Sequence, residues 1–210
     1  MKIAVIGVGN VGGTLGRCWA ERGHDVMFGV RNSASPKVSS ALKQAGGNAR
    51  AGSIAEAAKF GEVVVLATPW SGARDAIQQA GQLDGKVLLD PINPLKSDFS
   101  GLDVPPGSSA AEQLQTWAPK AKVVKIFNCT GANNMENPSY PGGAATMFYC
   151  GDDAAAKATA GQLARDLGFE ALDAGGLASA RMLEPLALLW VSLAFNQGLG
   201  REFAFKVMRR

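Results

Sequence analysis

Residues 2–12 read KIAVIGVGNVG, a short apolar run followed by three glycines in the spacing G-x-G-x-x-G. The spacing alone is weak evidence, but here it follows a predicted strand over 2–6 and opens a predicted helix over 10–22. In that context Gly7 allows a tight turn, Gly9 lets the backbone approach a pyrophosphate, and Gly12 lets the helix pack against the strand. The phosphates would meet the free N–H groups at the start of the helix. The turn therefore predicts a dinucleotide-binding site.

Strand-like and helical segments alternate along the rest of the chain. Further strands are predicted over 24–30, 62–68, 86–90, 123–127, 144–150 and 169–173, and further helices over 36–45, 69–80, 152–167 and 179–199. Two short helices begin at the capping boxes of Ser53 with Glu56 and Ser109 with Glu112. The alternation predicts the α/β class: a Rossmann, doubly wound, mostly parallel sheet with a small C-terminal α/β extension.

Two boundaries follow from the same pattern. Thr68 is the predicted N-cap of the 69–80 helix, with Pro69 as its first residue. The irregular segment 128–143 separates a predicted dinucleotide-binding domain, 1–128, from a predicted small C-terminal domain, 129–210.

The end of the second predicted strand indicates which dinucleotide is bound. An NAD site would place Asp or Glu there to bind the ribose hydroxyls. This chain instead has Arg31, Asn32 and Ser33, with Lys37 shortly after. Arg31 offers a planar fork of donors and Ser33 a hydroxyl, which suit a 2′-phosphate that a carboxylate would repel. These residues predict NADP(H) as the cofactor, although Arg31 could also be an ordinary surface arginine.

The nicotinamide pocket is predicted at the carboxyl ends of the central strands, where ligands lie in such sheets. Two segments reach that edge, 67–70 and 128–132. The first could equally be a helix start with an aromatic residue in the core. Together with the turn, the predicted cofactor-binding residues are Gly7, Val8, Gly9, Asn10, Val11, Arg31, Asn32, Ser33, Lys37, Ala67, Thr68, Pro69, Trp70, Asn128 and Ala132.

No catalytic acid or base and no metal site is predicted. His24, the single histidine, precedes the second predicted strand, and Lys122 and Lys125 are placed at the start of another. All three are therefore expected at the edge of the sheet opposite to the ligand. Reducing a carbonyl or an imine generally needs a proton donor. Passing a hydride from nicotinamide to a flavin-like ring chiefly needs positioning and exclusion of water. The sequence thus favours the second chemistry, with no residue assigned as catalytic.

Composition excludes several classes. Of 21 basic residues against 18 acidic ones, three lie in the last five positions, so the net charge of +3 belongs to a tail that we expect to be solvated. No basic cluster with interleaved aromatics indicates a nucleic-acid partner. The apolar stretch 186–195 is about half of what a bilayer requires, which argues against a membrane partner. Three scattered cysteines, Cys18, Cys129 and Cys150, predict free thiols and a cytoplasmic protein.

Motifs along the whole chain resemble the F420-dependent NADP oxidoreductases, and the cytosolic domain of membrane ferric and cupric reductases is similar. The resemblance rests on residues 2–12, Arg31, the 68–70 segment, the strand Val124-Lys-Ile-Phe-Asn128, and the segments 151–153, 172–177 and 180–184. It implies hydride transfer between NADP(H) and the deazaflavin F420 or a flavin as co-substrate. It also implies that the C-terminal domain closes a cleft over the nicotinamide, with the pyrophosphate at 8–11, the 2′-phosphate at Arg31 and Ser33, and the ring stack at 68–70 and Ala132.

The resemblance is weaker at the residues expected to lie beside the hydride acceptor. Where archaeal members have Trp followed two residues later by His, this chain has Trp70-Ser-Gly72, and Asn128 also differs. Two other readings therefore stay open: a short dehydrogenase or imine reductase relative, or an NADPH-binding sensor without turnover. The apolar segment 186–205 is expected to be buried in the core or in a homodimer.

Overall fold

In the computed structural model, which describes residues 1–210, eight strands form one sheet that runs the width of the molecule. The strands are β1 Lys2–Ile6, β2 Asp25–Gly29, β3 Ala49–Gly52, β4 Val63–Leu66, β5 Val87–Asp90, β6 Lys122–Lys125, β7 Thr146–Gly151 and β8 Glu170–Asp173. Their order is β3-β2-β1-β4-β5-β6-β7-β8. Only the β6–β7 pair is antiparallel. The predicted α/β, mostly parallel, doubly wound sheet is confirmed.

Helices cover both faces of the sheet. They are α1 Asn10–Glu21, α2 Pro36–Ala45, α3 Ile54–Phe60, α4 Ala73–Ala80, α5 Ala110–Trp117, α6 Ala132–Glu136, α7 Ala154–Asp166 and α8 Ala180–Val191. Short 3₁₀ turns occur at Gly46–Asn48, Trp70–Gly72 and Leu177–Ser179, and a π-helical turn, Ser192–Asn196, continues α8. One core layer includes Trp19, Phe28 and Leu163, and the other includes Ile77, Leu88 and Leu114. Burial on both faces explains why β4 reads as an unbroken apolar run.

The sheet continues past residue 128 because β6 and β7 pair through Val124 with Gly151 and Lys125 with Cys150. The segment 129–210 therefore adds β7, β8 and α6–α8 to the edge of the same sheet. Its division from 1–128 as a separate domain remains a prediction.

Several predicted boundaries were wrong. The helix expected over 69–80 is a 3₁₀ turn followed by α4, so Thr68 is not its N-cap and Pro69 precedes the turn. Strand β3, which reads ARAG, and helix α6, which reads ANNME, were not predicted because neither has the apolar pattern of a strand or a helix. The strand expected over 123–127 is β6, which ends at Lys125, since Phe127 has a positive φ of 62°.

The C-terminal tail is not simply solvated. Lys206 Nζ donates to the Ala144 carbonyl and to Glu170, and the Thr146 N–H donates to the Phe205 carbonyl. The terminal segment is therefore fixed against β7, with Arg209 and Arg210 exposed after it.

One helical stretch, Leu177–Asn196, is long and apolar enough by length and composition to cross a membrane, with a mean hydropathy of 1.3. That is longer than the apolar stretch read from the sequence. In the structure 39% of this apolar window is buried. Leu183 and the fully buried Glu184 lie on its inner side, whereas Met182, Leu189 and Phe195 are exposed.

Candidate functional site

The glycine turn between β1 and α1 is shaped by close approaches of backbone. Gly7 has a φ of +104°, and a Cβ there would lie 2.5 Å from the Ala67 carbonyl oxygen. A Cβ on Gly12 would collide with the Gly7 carbonyl oxygen. Gly9 differs because a Cβ there would meet nothing within 4 Å. Gly7 and Gly12 are thus required for the fold, whereas Gly9 keeps space open for a ligand.

Gly9 also leaves the start of α1 available. It occupies the N-cap position, and no side chain caps the helix there. The free N–H groups of the first turn and the positive end of the helix dipole suit an anion such as a phosphate.

A groove follows the carboxyl ends of the strands and consists of three adjoining cavities. The nucleotide cavity, about 390 Å³, extends from the glycine turn to Arg31 and Lys37. The central cavity, about 410 Å³, lies between Asn10, Trp70 and Asn93. The outer cavity, about 700 Å³, lies beyond Trp70 against the 95–98 segment. The first two cavities share Gly9, Lys37 and 67–69, and the last two share Pro69, Trp70 and Asn93.

Twelve of the fifteen residues predicted to bind cofactor line the first two cavities: Gly7, Val8, Gly9, Asn10, Val11, Arg31, Asn32, Lys37, Ala67, Thr68, Pro69 and Trp70. Ser33 is exposed outside the lining, and Ser35 takes a place there instead. Asn128 and Ala132 are buried outside the lining. Asn128 bonds Asn93, which does face the groove.

Sequence reasoning missed the segment 91–93, which follows β5 and forms one wall of the central cavity. The signal was available, since β5 is a central parallel strand and its carboxyl end meets those of β4 and β6 at one edge.

Three polar side chains of the groove have no hydrogen-bond partner within the protein: Thr68, Arg31 and Lys37. Thr68 lines both the nucleotide and central cavities, and its Oγ1 is buried without a hydrogen-bond partner. Arg31 and Lys37 form no salt bridge, although ten salt bridges exist elsewhere. A buried hydroxyl without a partner costs free energy, which a ligand atom would recover. An open cradle, an unpaired hydroxyl and two unpaired cations fit a phosphorylated dinucleotide.

Trp70 is held in place between the central and outer cavities. Its ring stacks on Trp117 with centroids 5.2 Å apart and planes 18° apart. Its indole Nε1–H donates to the Asp103 carbonyl at 3.1 Å. The indole is therefore a fixed wall where the two cavities meet.

A buried charge network lies behind the central cavity. Lys125 Nζ bonds Asp90 Oδ2 at 3.0 Å, Glu184 Oε1 at 2.8 Å and the Ile92 carbonyl, and all three side chains are buried. Glu184 also accepts from the N–H groups of residues 110 and 111 at the start of α5. The prediction that placed Lys125 at the wrong edge was wrong because β6 ends at this residue, at the ligand-binding edge.

Burial and the charges of this network shift the pKa values of the ionisable groups in and around it. Burial lowers the pKa of Lys125, but attraction to Asp90 and Glu184 outweighs it, so the pKa is raised and the lysine stays charged. Burial raises the pKa of Glu184 against the opposing effect of Lys125. Burial also raises the pKa of the Cys129 and Cys150 thiols to about 12. All three cysteines are free and buried, as expected of small apolar side chains.

His24 lies away from the groove. Its Nε2 is 3.2 Å from Asp166 Oδ2, and its Nδ1 is 3.4 Å from the N-terminal amine. These contacts fix the start of β2 to α7, which is a structural role.

Comparison with known proteins gives a consistent result. A family model described as "NADP oxidoreductase coenzyme F420-dependent" matches residues 2–94. The chain is 30% identical over 207 residues to the F420-dependent NADP reductase of Methanothermobacter thermautotrophicus, covering 92% of this chain and 89% of that protein. It is 33% identical over 190 residues to the metalloreductase STEAP3 of Rattus norvegicus, covering 90% of this chain but only 37% of that protein.

Solved structures extend the comparison. A crystal structure described as an F420-dependent NADP reductase from Arthrobacter sp. FB24 is 35% identical, with a TM-score of 0.90 and full coverage of both chains. A reductive aminase from Aspergillus terreus, solved with NADPH4, is 19% identical with a TM-score of 0.65, and the match covers 94% of this chain and 62% of that one. The second likeness concerns the fold alone.

Proposed function

Because this chain belongs to the family of coenzyme F420-dependent NADP oxidoreductases, we propose that it transfers a hydride between NADP(H) and a flavin-like acceptor, either the deazaflavin F420 or a flavin. The single observation that carries this proposal is the continuous groove along the carboxyl ends of the strands. It provides a phosphate cradle, two unpaired cations and a fixed aromatic wall in one line.

The nucleotide cavity supports NADP(H) over NAD(H). The pyrophosphate would lie on Gly9 and the first turn of α1, where no side chain blocks the N–H groups. The 2′-phosphate would lie between Arg31 and Lys37, whose charges no carboxylate of the protein neutralises. No acidic residue lines this cavity to bind the free ribose hydroxyls of NAD(H).

The central cavity supports direct hydride transfer. When bound, the reduced nicotinamide supplies a hydride from its C4 atom. Lys37 is the only titratable side chain that lines the cavity. The other groups, among them Thr68, Trp70 and Asn93, can orient two rings and exclude water but cannot serve as proton donors near neutral pH. An acceptor that takes a hydride on a conjugated ring needs no more from the protein.

The outer cavity supports an acceptor that is larger than a simple ketone. It continues the groove by about 700 Å³ on the far side of Trp70. Its lining mixes the Trp70 ring and Leu95 with polar residues such as Ser71 and Lys96. A planar ring carrying a polar side chain would place the ring at Trp70 and the side chain in this outer cavity.

Anaerobic spectroscopy tests the proposal. The protein would be mixed with NADPH and, in turn, with F420, FMN, FAD and a quinone, and the nicotinamide and acceptor absorbances followed together. We expect stoichiometric oxidation of NADPH and reduction of F420 or a flavin. NADPH binding without reduction of any acceptor would instead support a sensor, and the proposed activity would be rejected.

An exposed apolar surface supports a homodimer. Met182, Leu189, Phe195 and Leu199 are exposed around α8 and the turn that follows it. A second copy would cover this apolar surface. Light scattering at micromolar concentration would show a mass of two chains, and a mass of one chain would reject the dimer.

A further inference from the structure

Asn93 lies at the junction of the central and outer cavities and lines both. Its side chain pairs with Asn128: Asn93 Nδ2 donates to the Asn128 carbonyl at 2.8 Å, and Asn128 Nδ2 donates to Asn93 Oδ1 at 3.1 Å. Asn128 is itself fixed, since its Nδ2 also donates to the Leu183 carbonyl at 2.9 Å. The orientation of the Asn93 amide is therefore determined by the protein.

This pairing uses half of what the Asn93 amide offers. A primary amide has two N–H donors and an oxygen with two lone pairs. One donor and one lone pair bond Asn128, so one N–H and one lone pair remain. Asn93 is half-buried at a cavity wall, where those groups are available to a ligand. Adjacent donor and acceptor groups complement another amide edge.

The backbone that carries Asn93 is fixed from behind. Lys125 bonds the Ile92 carbonyl, and Asp90 Oδ1 accepts from the Ile92 N–H at 2.9 Å. Lys125 is held in turn by Asp90 and Glu184. A fully buried cation with three partners is costly to assemble unless each partner is satisfied. The bend before Asn93 is thus as constrained as its side chain.

We propose that Asn93 is a ligand-contacting residue that recognises an amide edge in the groove, with Lys125 and Asn128 as its positioning residues. The proposal rests on the proposed function, because two ligands of that reaction present such an edge. One is the carboxamide of the nicotinamide, and the other is the pyrimidinedione of a flavin or deazaflavin. Both are recognised by one donor and one acceptor side by side.

Binding measurements separate the two ligands. The variants are Asn93→Ala, with Asn93→Ser as a second form that retains a small polar side chain, and Asn48→Ala as the matched control. Asn48 donates to the Ala20 carbonyl outside the groove. Dissociation constants would be measured for NADP⁺, for its 3-acetylpyridine analogue, which lacks the amide N–H groups, and for F420 and FMN added to the NADP⁺ complex.

Three outcomes are decisive. A loss of about three- to tenfold in NADP⁺ affinity that is smaller for the acetylpyridine analogue, which keeps the carbonyl oxygen but not the N–H groups, supports recognition of the carboxamide. An unchanged NADP⁺ affinity with a similar loss for F420 or FMN supports recognition of the acceptor. Affinities for all ligands equal to those of Asn48→Ala overturn the proposal. All of these measurements are of binding. A wild-type protein that binds the ligands but transfers no hydride would therefore reject the proposed function without deciding the role of Asn93.

The positioning role has its own test. Lys125→Met and Asn128→Ala should each weaken the same ligand as Asn93→Ala, and the double variants with Asn93→Ala should be no weaker than Asn93→Ala alone. Asn128→Ala keeps the test available if Lys125→Met does not fold. Losses that add in the double variants, or that fall equally on every ligand, would overturn the positioning role.

Discussion

The two ends of the groove are built in different ways. The nucleotide end is formed by backbone and by exposed side chains such as Arg31 and Lys37, with few contacts behind them. The acceptor end rests on buried polar groups, above all Lys125 with Asp90 and Glu184, and on the Trp70–Trp117 stack. Substitutions of Arg31, Lys37 or Gly9 at the first end should therefore change binding and leave stability almost unchanged. Substitutions behind the second should change stability first.

Lys125→Met should have the largest effect. It leaves the buried Asp90 and Glu184 carboxylates without their counter-ion, which typically costs ~3–5 kcal/mol of unfolding free energy. Lys120→Met is the matched control because it removes the same charge from an exposed pair with Asp84, worth about 0–1 kcal/mol. Urea unfolding followed by fluorescence measures both. Equal losses of unfolding free energy in Lys125→Met and Lys120→Met would contradict the view that stability depends on the buried charges behind the acceptor end.

Arg31→Ala should come next, acting on binding. Losing a charge-assisted contact to the 2′-phosphate costs roughly 1.5–3 kcal/mol, or about 10- to 150-fold in NADPH affinity, while NADH affinity changes little. Arg165→Ala, at an exposed position on α7, is the control. Isothermal titration with both cofactors gives the result. A loss shared equally between NADPH and NADH would show that Arg31 does not select the phosphate.

Gly9→Ala should separate binding from folding. The added methyl projects into open space, so the unfolding free energy should change by only about 0.5 kcal/mol. The same methyl occupies the cradle, and we expect about a tenfold loss in NADPH affinity. Gly13→Ala, where a Cβ makes only ordinary contact 3.8 Å from the Val8 carbonyl oxygen, should keep the NADPH affinity. Because Gly13 lies inside α1, this control should gain up to about 1 kcal/mol of unfolding free energy. Normal NADPH binding by Gly9→Ala would mean that the phosphates lie elsewhere.

Near neutral pH, the smallest effect is expected at the thiols behind the acceptor end. Because burial raises the pKa of Cys129 and Cys150 to about 12, the folded state holds these protons above pH 9 while the unfolded state releases them. Unfolding free energy should therefore be unaffected by these groups below pH 8 and should fall as the pH rises from about 9 towards 12. Thiol labelling at pH 8 should require unfolding. Rapid labelling of the folded protein would contradict the described burial.

The same contrast explains what the sequence could reveal. Three features could be predicted because each leaves a pattern in neighbouring residues. Close backbone approach requires the glycines of the turn, a phosphate favours Arg31, and burial on both faces requires the apolar run of β4. The acceptor end depends on contacts between distant segments: Lys125 with Glu184, and Asn93 with Asn128. The sequence predicted a strand over 123–127, with Lys125 towards its start and so at the wrong edge of the sheet. The strand ends at Lys125 instead, since Phe127 adopts a positive φ that no local pattern indicates.

The most direct test of the central claim is a single-turnover experiment without oxygen, using NADPH and NADPH deuterated at C4 with F420 or a flavin. Direct hydride transfer through a cavity whose only titratable side chain is Lys37 predicts equal amounts of NADPH oxidised and acceptor reduced, and a slower reaction with deuterium in the transferred position. Tight binding of NADPH with no change in any acceptor spectrum would contradict the account and leave a binding protein in its place.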